Sequence, residues 1–192
     1  MRKEVLAVGC ALMVFCGCGK NNAAQHYESG WAAMEKKDYT TAVNENSKLA
    51  ESYRAEGIAY YSEKAYPEAI AAFSRSLNNM DDPDKEFKKD VQFYLAQARM
   101  DYGEVDKAIE VYSEILKAGE DEQAFFLRGK AYISMEDYKN AEKDFQRALE
   151  GCEDYNLYIN IYQIYVDHNK AVDGDAYLKM ALELEPQDGE DC

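Results

Sequence analysis

Small and aromatic side chains follow one another in a fixed order along this chain. The order is clearest over residues 125–149, where six positions are either small or aromatic: Gly129, Tyr132, Tyr138, Ala141, Phe145 and Ala148. A leucine that closes the pattern recurs at Leu77, Leu116, Leu149 and Leu182; the last two intervals are the same, and the first is slightly longer. A period of roughly 34 residues indicates an array of structural repeats, each of which buries its apolar face against its neighbours.

The repeated order resembles that of the tetratricopeptide-repeat (TPR) family. Further copies are marked by Gly57 and Phe73, by Ala96 and Tyr112, and more weakly by Gly174 and Leu178, while Gly30, Tyr39 and Ala42 suggest a degenerate first copy. The resemblance covers residues 26–186. It implies an all-α solenoid of about four to five helical hairpins wound into a right-handed superhelix. A small residue at the eighth position of each copy lets the two helices of a hairpin approach closely.

Prolines set two of the expected helix boundaries. Asp82-Pro83 predicts an N-cap followed by the first helical residue, and Pro186 predicts the end of the last helical region. Residues 187–192 are polar, and we expect them to form a disordered tail.

The first two copies stand unusually close together. The interval from Ala42 to Ala69, which hold the same repeat position, is shorter than the roughly 34 residues of one full repeat. The usual turn between two hairpins is therefore missing. Two arrangements remain open: one long helix over residues 39–61, or a tight break at residues 44–47.

Residues 1–18 differ in character from the rest of the chain. Arg2 and Lys3 precede an apolar run over residues 5–16, which is shorter than the roughly 20 residues of a membrane-spanning helix but typical of a signal peptide. The run ends in Phe15-Cys16-Gly17-Cys18, which resembles the lipobox of bacterial lipoprotein precursors. The resemblance implies cleavage before Cys18 and a covalent diacylglyceryl group on its sulfur.

The lipobox resemblance also implies a domain order and a location. It gives a signal peptide over residues 1–17, a lipid-anchored tether over residues 18–25, and an extracytoplasmic TPR domain. Two acyl chains give a stable membrane anchor where one does not. We expect the protein on the outer face of the cell membrane, or at an outer membrane if the cell has two. Cys16 and Cys10 fit the motif less well, and an ordinary signal segment is the remaining alternative.

The charge balance excludes some partners. The formal net charge is −15, with no basic stripe to offset it. Such a chain repels nucleic acid and anionic lipid headgroups. We therefore expect no nucleic-acid partner, and we expect the covalent lipid to hold the protein at the membrane.

The TPR resemblance implies where a partner binds, since defined positions of each first helix line a concave groove in that family. These positions are held here by Arg54, Tyr61, Phe93, Gln97, Phe126, Lys130, Ile159 and Gln163, together with Ile58, Met100, Asp101, Gln123, Ile133, Asn156 and Val166. Aromatic anchors mixed with amides suit an extended or helical peptide. The alternative is that Phe93 and Phe126 only pack against neighbouring helices.

No motif typical of catalysis, cofactor binding or metal binding is present. His26 and His168 have no neighbour at metal-ligand spacing, so we expect both on the surface, and Cys152 has no base to activate it. Cys152 and Cys192 remain after processing and either pair or stay free. We expect a non-enzymatic scaffold that binds another protein, with envelope assembly as one setting. The alternative is a lipoprotein that binds a solute or a cell-wall fragment in a deep pocket.

Overall fold

A computed structural model describes residues 20–36, 39–80, 85–151 and 154–184. Within these ranges the chain forms α-helices and no strand, which confirms the all-α prediction. The helices are α1 (Lys20–Glu35), α2 (Tyr39–Ser62), α3 (Tyr66–Asn78), α4 (Lys85–Tyr102), α5 (Val105–Ala118), α6 (Glu122–Ser134), α7 (Tyr138–Ala148), α8 (Tyr155–Asp167) and α9 (Ala171–Leu184). The chain divides into two compact units, Met1–Ala98 and Arg99–Cys192.

Successive helices pack as hairpins within each unit. In the first unit, α2 contacts both α1 and α3. In the second unit, α6 packs against α7 and α8 packs against α9, and α6 also contacts α5 and α8. This is the helix-pair stacking that the sequence repeat predicts.

Four hairpin turns that lie wholly within the described residues each contain one residue in the left-handed backbone region. These residues are Lys64 (φ 60°), Gly103 (φ 92°), Glu136 (φ 59°) and Asn169 (φ 58°). Each of the closing leucines follows its turn residue at the same interval, so the two sets repeat in step along the chain. In every turn the amide of the left-handed residue donates to the carbonyl three positions earlier, and the next amide donates to the carbonyl five positions earlier. The sequence repeat is therefore also a repeat of backbone geometry.

The short spacing between the first two copies is accommodated by one continuous helix. α2 has 24 residues and is about 36 Å long at 1.5 Å per residue. It contains no proline, and its one glycine, Gly57, lies near its end, so nothing interrupts its hydrogen bonds. The long-helix alternative is confirmed, and the break at residues 44–47 is wrong. Through its contacts with α1 and α3, α2 completes one hairpin and begins the next.

The helix α1 starts earlier than the sequence suggests. Residues 18–25 are expected to form a tether, whereas the chain is helical from Lys20 onward. Ala23, Ala24 and Gln25 have high helix propensity, and α1 packs on α2, so the helix extends through them. The part of residues 18–25 that is helical rises only about 1.5 Å per residue, less than half the extended length.

Glycine permits close packing at the eighth position of two hairpins. A Cβ atom on Gly57 would lie 2.6 Å from ring atoms of Phe73, and one on Gly129 would lie 2.7 Å from the ring of Phe145. Both rings are fully buried. In the last hairpin the glycine lies on the second helix, where a Cβ on Gly174 would approach Tyr165 to 2.9 Å. The rings of Phe73 and Phe145 therefore occupy the space that a Cβ on Gly57 or Gly129 would need.

The second unit has an aromatic core around Phe145, which contacts residues of α8 and α9. Asp121, Asp137 and Asp154 cap α6, α7 and α8, because each carboxylate accepts a hydrogen bond from an amide in the first turn. The boundary residues Asp82, Pro83 and Pro186 and the tail of residues 187–192 lie outside the described residues.

Candidate functional site

The first helices of the last two hairpins, α6 and α8, lie against each other in the second unit. Eight of the residues expected to form a groove are on these helices, four on each. Lys130 and Gln163, which both occupy the ninth repeat position, are exposed, and Phe126 and Ile159 are half-buried. The structure therefore offers two polar groups to solvent on adjacent helices.

The exposed side of α8 carries a strip of amide side chains, which we call the amide strip: Asn156, Asn160 and Gln163. Separations of four and three positions place them on one side of the helix. The Nε2 of Gln163 donates to Oδ1 of Asp167 at 2.7 Å. Each amide group both donates and accepts hydrogen bonds, as a peptide group does. The groove prediction includes Asn156 and Gln163 but omits Asn160, although its spacing from Asn156 already indicates the shared side.

Two apolar residues expected in the groove contribute to the core. The ring of Phe126 lies 6.2 Å from that of Phe145 and packs against the core of the second unit. Ile133 is fully buried, so its assignment to the groove is wrong. Its repeat position turns inward here because Ile133 packs with Phe145 and Ile161.

The groove residues of the first unit are partly buried: Arg54 and Tyr61 on α2, and Phe93 and Gln97 on α4. The Nε of Arg54 donates to Oδ2 of Asp90 at 2.5 Å. Its guanidinium also lies over the rings of Tyr94, at 5.5 Å, and Phe87, at 5.9 Å. Arg54 is thus engaged in holding α2 to α4.

A buried ion pair joins α6 to α7. Arg128 donates from Nε and Nη2 to the two carboxylate oxygens of Asp144, at 2.7 and 2.8 Å, and from Nη1 to Oγ of Ser113 at 3.0 Å. The hydrogen bond with Asp144 raises the pKa of Arg128. Neither residue of this pair is among the site residues expected from the sequence. Spacing could have identified the pair. Arg128 and Asp144 are as far apart in sequence as Gly129 and Phe145, which are the next residues on the same two helices.

A carboxylate and two tyrosines connect α7 to the last hairpin. Oε2 of Glu142 accepts hydrogen bonds from the hydroxyls of Tyr177, at 2.8 Å, and Tyr165, at 3.2 Å. The two rings stack with centroids 5.9 Å apart. Burial raises the pKa of both hydroxyls, and the neighbouring Glu142 carboxylate raises it further. Both tyrosines therefore remain neutral donors, which is a structural role.

The two histidines have different surroundings. His168 is exposed at the end of α8, as expected for a surface histidine. His26, also expected on the surface, is partly buried on α1, and its Nδ1 lies 2.7 Å from Oε2 of Glu45 on α2. Lys48 donates to the other oxygen of Glu45 at 2.9 Å. The hydrogen bond with His26 and the one with Lys48 hold the pKa of Glu45 below its usual range.

In the part of the chain that the structure describes, no three histidine, cysteine or acidic side chains are grouped as metal ligands would be. Nor does any helix there combine the length and the apolar character needed to span a bilayer. All five cysteines, including Cys18, Cys152 and Cys192, lie outside the described residues. Lipid attachment and disulfide pairing therefore stay predictions.

The paired helices, the left-handed turns and the glycine–aromatic contacts define a helical-hairpin repeat fold of the TPR type. Residues 93–156 match the family model described as tetratricopeptide repeat. This range runs from the middle of α4 to the start of α8.

Solved structures of the same fold extend the likeness beyond that range. One is "MamA 41-end from Desulfovibrio magneticus RS-1", with a TM-score of 0.59 and 16% identity, covering 88% of this chain and 98% of that chain. Another MamA crystal structure has a TM-score of 0.58 and 18% identity, covering 85% and 92%. BtubC from P. vanneervenii has a TM-score of 0.55 and 18% identity, covering 91% and 76%. No curated protein shows significant sequence similarity to this chain.

Proposed function

We propose that this protein is a lipid-anchored extracytoplasmic scaffold that binds an extended segment of another envelope or secreted protein. The observation that carries the proposal is the amide strip of α8, whose three side chains are exposed. The TPR-type fold supports a protein partner, since stacked helical hairpins present long surfaces to other chains.

The chemistry of the amide strip favours binding to the peptide backbone of a partner protein. Asparagine and glutamine can each donate to a carbonyl and accept from an amide, so they pair with successive peptide groups whatever side chains the partner has. Specificity then comes from apolar contacts beside the strip, where Ile159 is half-buried. Lys130 on the adjacent helix α6 adds a positive charge that favours an acidic group of the partner.

The anchor and the location rest on the lipobox resemblance. Cys18 follows Gly17 and a short apolar run, which together indicate lipid attachment and export. With two acyl chains the protein would stay at the extracytoplasmic face of the cell membrane, or be sorted to an outer membrane. Its binding surface would then be held close to other envelope proteins.

Crosslinking capture from native membranes tests the proposal. We compare wild type with a triple variant, Lys130→Ala, Asn160→Ala and Gln163→Ala, which removes exposed polar groups only. Phe126→Ala is unsuitable, because Phe126 packs against Phe145 and its loss would also weaken the core. We expect the triple variant to lose a protein that wild type captures.

The matched control is the double variant Lys139→Ala, Lys143→Ala. Both lysine side chains are exposed on α7, which belongs to the same unit but does not carry the amide strip. It removes two positive charges without touching the amide strip. Helical circular dichroism confirms that both variants are folded. If wild type, the triple variant and the α7 control all capture the same protein, the amide strip is not the binding surface.

A further inference from the structure

Two exposed aromatic side chains stand on one side of α1. Tyr27 is 53% exposed and Trp31 is 58% exposed, and a separation of four positions makes them neighbours on the helix surface. The opposite side of α1 is engaged with α2, through buried Ala33 and through the pair of His26 and Glu45. Tyr27 also lies near Tyr53 on α2, yet both side chains of the aromatic pair stay more than half exposed.

Aromatic rings that stay in water are unusual in this chain. Of the other aromatic side chains that the structure describes, only Tyr102 has comparable exposure, at 51%, and it stands alone on α4. Tryptophan and tyrosine are enriched where a protein meets the headgroup region of a bilayer, because the ring is apolar while its N–H or O–H can be hydrated.

The charge of the chain is distributed unevenly around α1. Residues 18–39 contain three lysines and three acidic residues, so this segment is neutral. Residues 40–192 contain 17 lysines and arginines against 33 aspartates and glutamates, a formal charge of −16. If the chain is cleaved before Cys18, all of the net negative charge that remains lies in residues 40–192. Residues 18–39 can therefore approach an anionic membrane without net repulsion.

We infer that α1 lies along the membrane surface with Tyr27 and Trp31 in the lipid headgroup region, so that this helix is a second membrane contact beside the lipid. The inference rests on the proposed lipid anchor at Cys18. That anchor would place the start of α1, at Lys20, next to the bilayer, with only Gly19 between the two residues.

The length of α1 distinguishes a helix that lies flat on the membrane from one that stands upright. From Lys20 to Trp31 the helix rises about 17 Å, at 1.5 Å per residue. If α1 stood upright, Trp31 would lie beyond the headgroup layer, which is only about 5–8 Å thick on each side. If α1 lies flat, both aromatic rings reach that layer, and the covalent lipid and the rings act on the same surface.

Fluorescence tests the inference directly, because Trp31 is the one tryptophan of the chain. The mature protein is purified from cell membranes and reconstituted in phosphatidylcholine vesicles, with and without brominated phosphatidylcholine as a quencher. We expect Trp31 emission at a shorter wavelength than in a water-exposed tryptophan, and quenching by the brominated lipid. Tyr27→Ser should reduce the quenching, since it removes the adjacent ring.

The matched control moves the reporter to another exposed position by combining Trp31→Phe with Tyr102→Trp. We expect this variant to show neither the shift nor the quenching. Equal quenching of both reporters would overturn the inference, because membrane contact would not then be specific to α1. The inference would also be overturned if the Trp31 emission shift grew with the amount of protein per vesicle while the brominated lipid caused no quenching. That result would indicate a second copy of the chain on this side of α1.

Mass spectrometry of the same sample separates this inference from the proposed function. If Cys18 carries the lipid but Trp31 is unshifted and unquenched, the anchor stands and the flat arrangement of α1 is wrong. If Cys18 carries no lipid, the proposed anchor is wrong, and this inference falls with it.

Discussion

Close helix packing in two of the hairpins depends on the absence of a single side-chain atom. Gly57 and Gly129 have no Cβ, and the rings of Phe73 and Phe145 fill the space where one would be. A buried ring cannot move aside cheaply, because it is surrounded by other core atoms. These glycines therefore fix how near the two helices of a hairpin can lie.

Gly129→Ala tests this packing. The added Cβ would lie 2.7 Å from the ring of Phe145, so we expect the free energy of unfolding to fall by about 1–3 kcal/mol. Gly119→Ala is the control, since Gly119 has open space around its Cβ position and an extended backbone. Its stability should be unchanged or raised by up to about 1 kcal/mol. Urea unfolding followed by circular dichroism measures both, and equal effects would contradict the packing argument.

The pair of Arg128 and Asp144 shows how a charge is accommodated inside the second unit. The side chain of Asp144 is 6% exposed and that of Arg128 is 18% exposed. Both carboxylate oxygens and three guanidinium nitrogens are hydrogen-bonded. Because neither group can regain full hydration in the fold, each depends on the other.

Asp144→Asn should leave the Arg128 cation without its counter-charge. We expect a loss of about 2–3 kcal/mol in unfolding free energy, below the full cost for a deeply buried pair because Arg128 is partly hydrated. Arg147→Gln disrupts exposed ion pairs with Glu120 and Glu150 and should cost at most about 1 kcal/mol. The prediction is contradicted if thermal and urea unfolding rank the two variants in the opposite order.

At the scale of the element, the hairpin turn is the most regular feature of the fold. All four turns place one residue at positive φ and use the same two backbone hydrogen bonds. Only Gly103 is free of the steric cost that a side chain meets in this region. Lys64, Glu136 and Asn169 tolerate that cost because the flanking helices fix the turn.

Opposite substitutions at two turns should therefore have opposite effects. Glu136→Gly relieves strain and should stabilise the protein by about 0.5–1 kcal/mol, after the extra freedom of glycine in the unfolded chain is counted. Gly103→Ala introduces a side chain at φ 92° and should destabilise it by about 1 kcal/mol. Calorimetric unfolding of both variants measures the difference, and equal signs would refute a common turn geometry.

The contact between α1 and α2 should depend on pH. His26 and Lys48 hold the pKa of Glu45 below its ordinary value of 4.5. A carboxyl group whose pKa is lower in the folded than in the unfolded state stabilises the fold at pH values above its unfolded-state pKa. That stability is lost as the pH falls through the folded-state pKa. Glu45→Gln should therefore melt below wild type near pH 7, with a difference that shrinks below about pH 4.

Melting curves across this pH range, compared with Glu51→Gln, check the prediction. Glu51 is exposed on the same helix, and its replacement should have little effect at any pH. A difference for Glu45→Gln that persists unchanged to acidic pH would show that the carboxylate charge is not what stabilises the contact.

At the scale of the whole molecule, the acidity of the chain makes the anchor important. Beyond the neutral segment of residues 18–39, the chain carries a formal charge of −16, so anionic lipid repels most of it. The covalent lipid proposed at Cys18 would overcome that repulsion, since two acyl chains give stable attachment.

Cys18→Ser should abolish lipid addition and leave the signal segment uncleaved. Intact-mass measurement of the protein from cell membranes should then show an unmodified chain that still contains residues 1–17. Cys16→Ser and Cys10→Ser are the controls, and we expect both to be processed like wild type. Loss of processing in either control, with normal processing of Cys18→Ser, would place the lipid on another cysteine.

Spacing along the chain was enough to predict the helical hairpins. The recurrence of Gly57 and Gly129 with Phe73 and Phe145 encodes local helix pairing, because each glycine precedes its ring by the same interval. Such contacts span a single turn, so a one-dimensional pattern captures them. Spacing did not decide between a long helix and a break within residues 39–61, because either one fits the shortened interval from Ala42 to Ala69.

The sequence by itself determined the helical repeat, its period and the candidate anchor, because each depends on neighbours within one hairpin or one short motif. Only the tertiary structure decided which expected groove residues are exposed. Ile133 is buried against residues of two later helices, and Arg54 on α2 is paired with Asp90 on α4. Burial and pairing are set by atoms from distant parts of the chain, which the residue type at a single position does not encode.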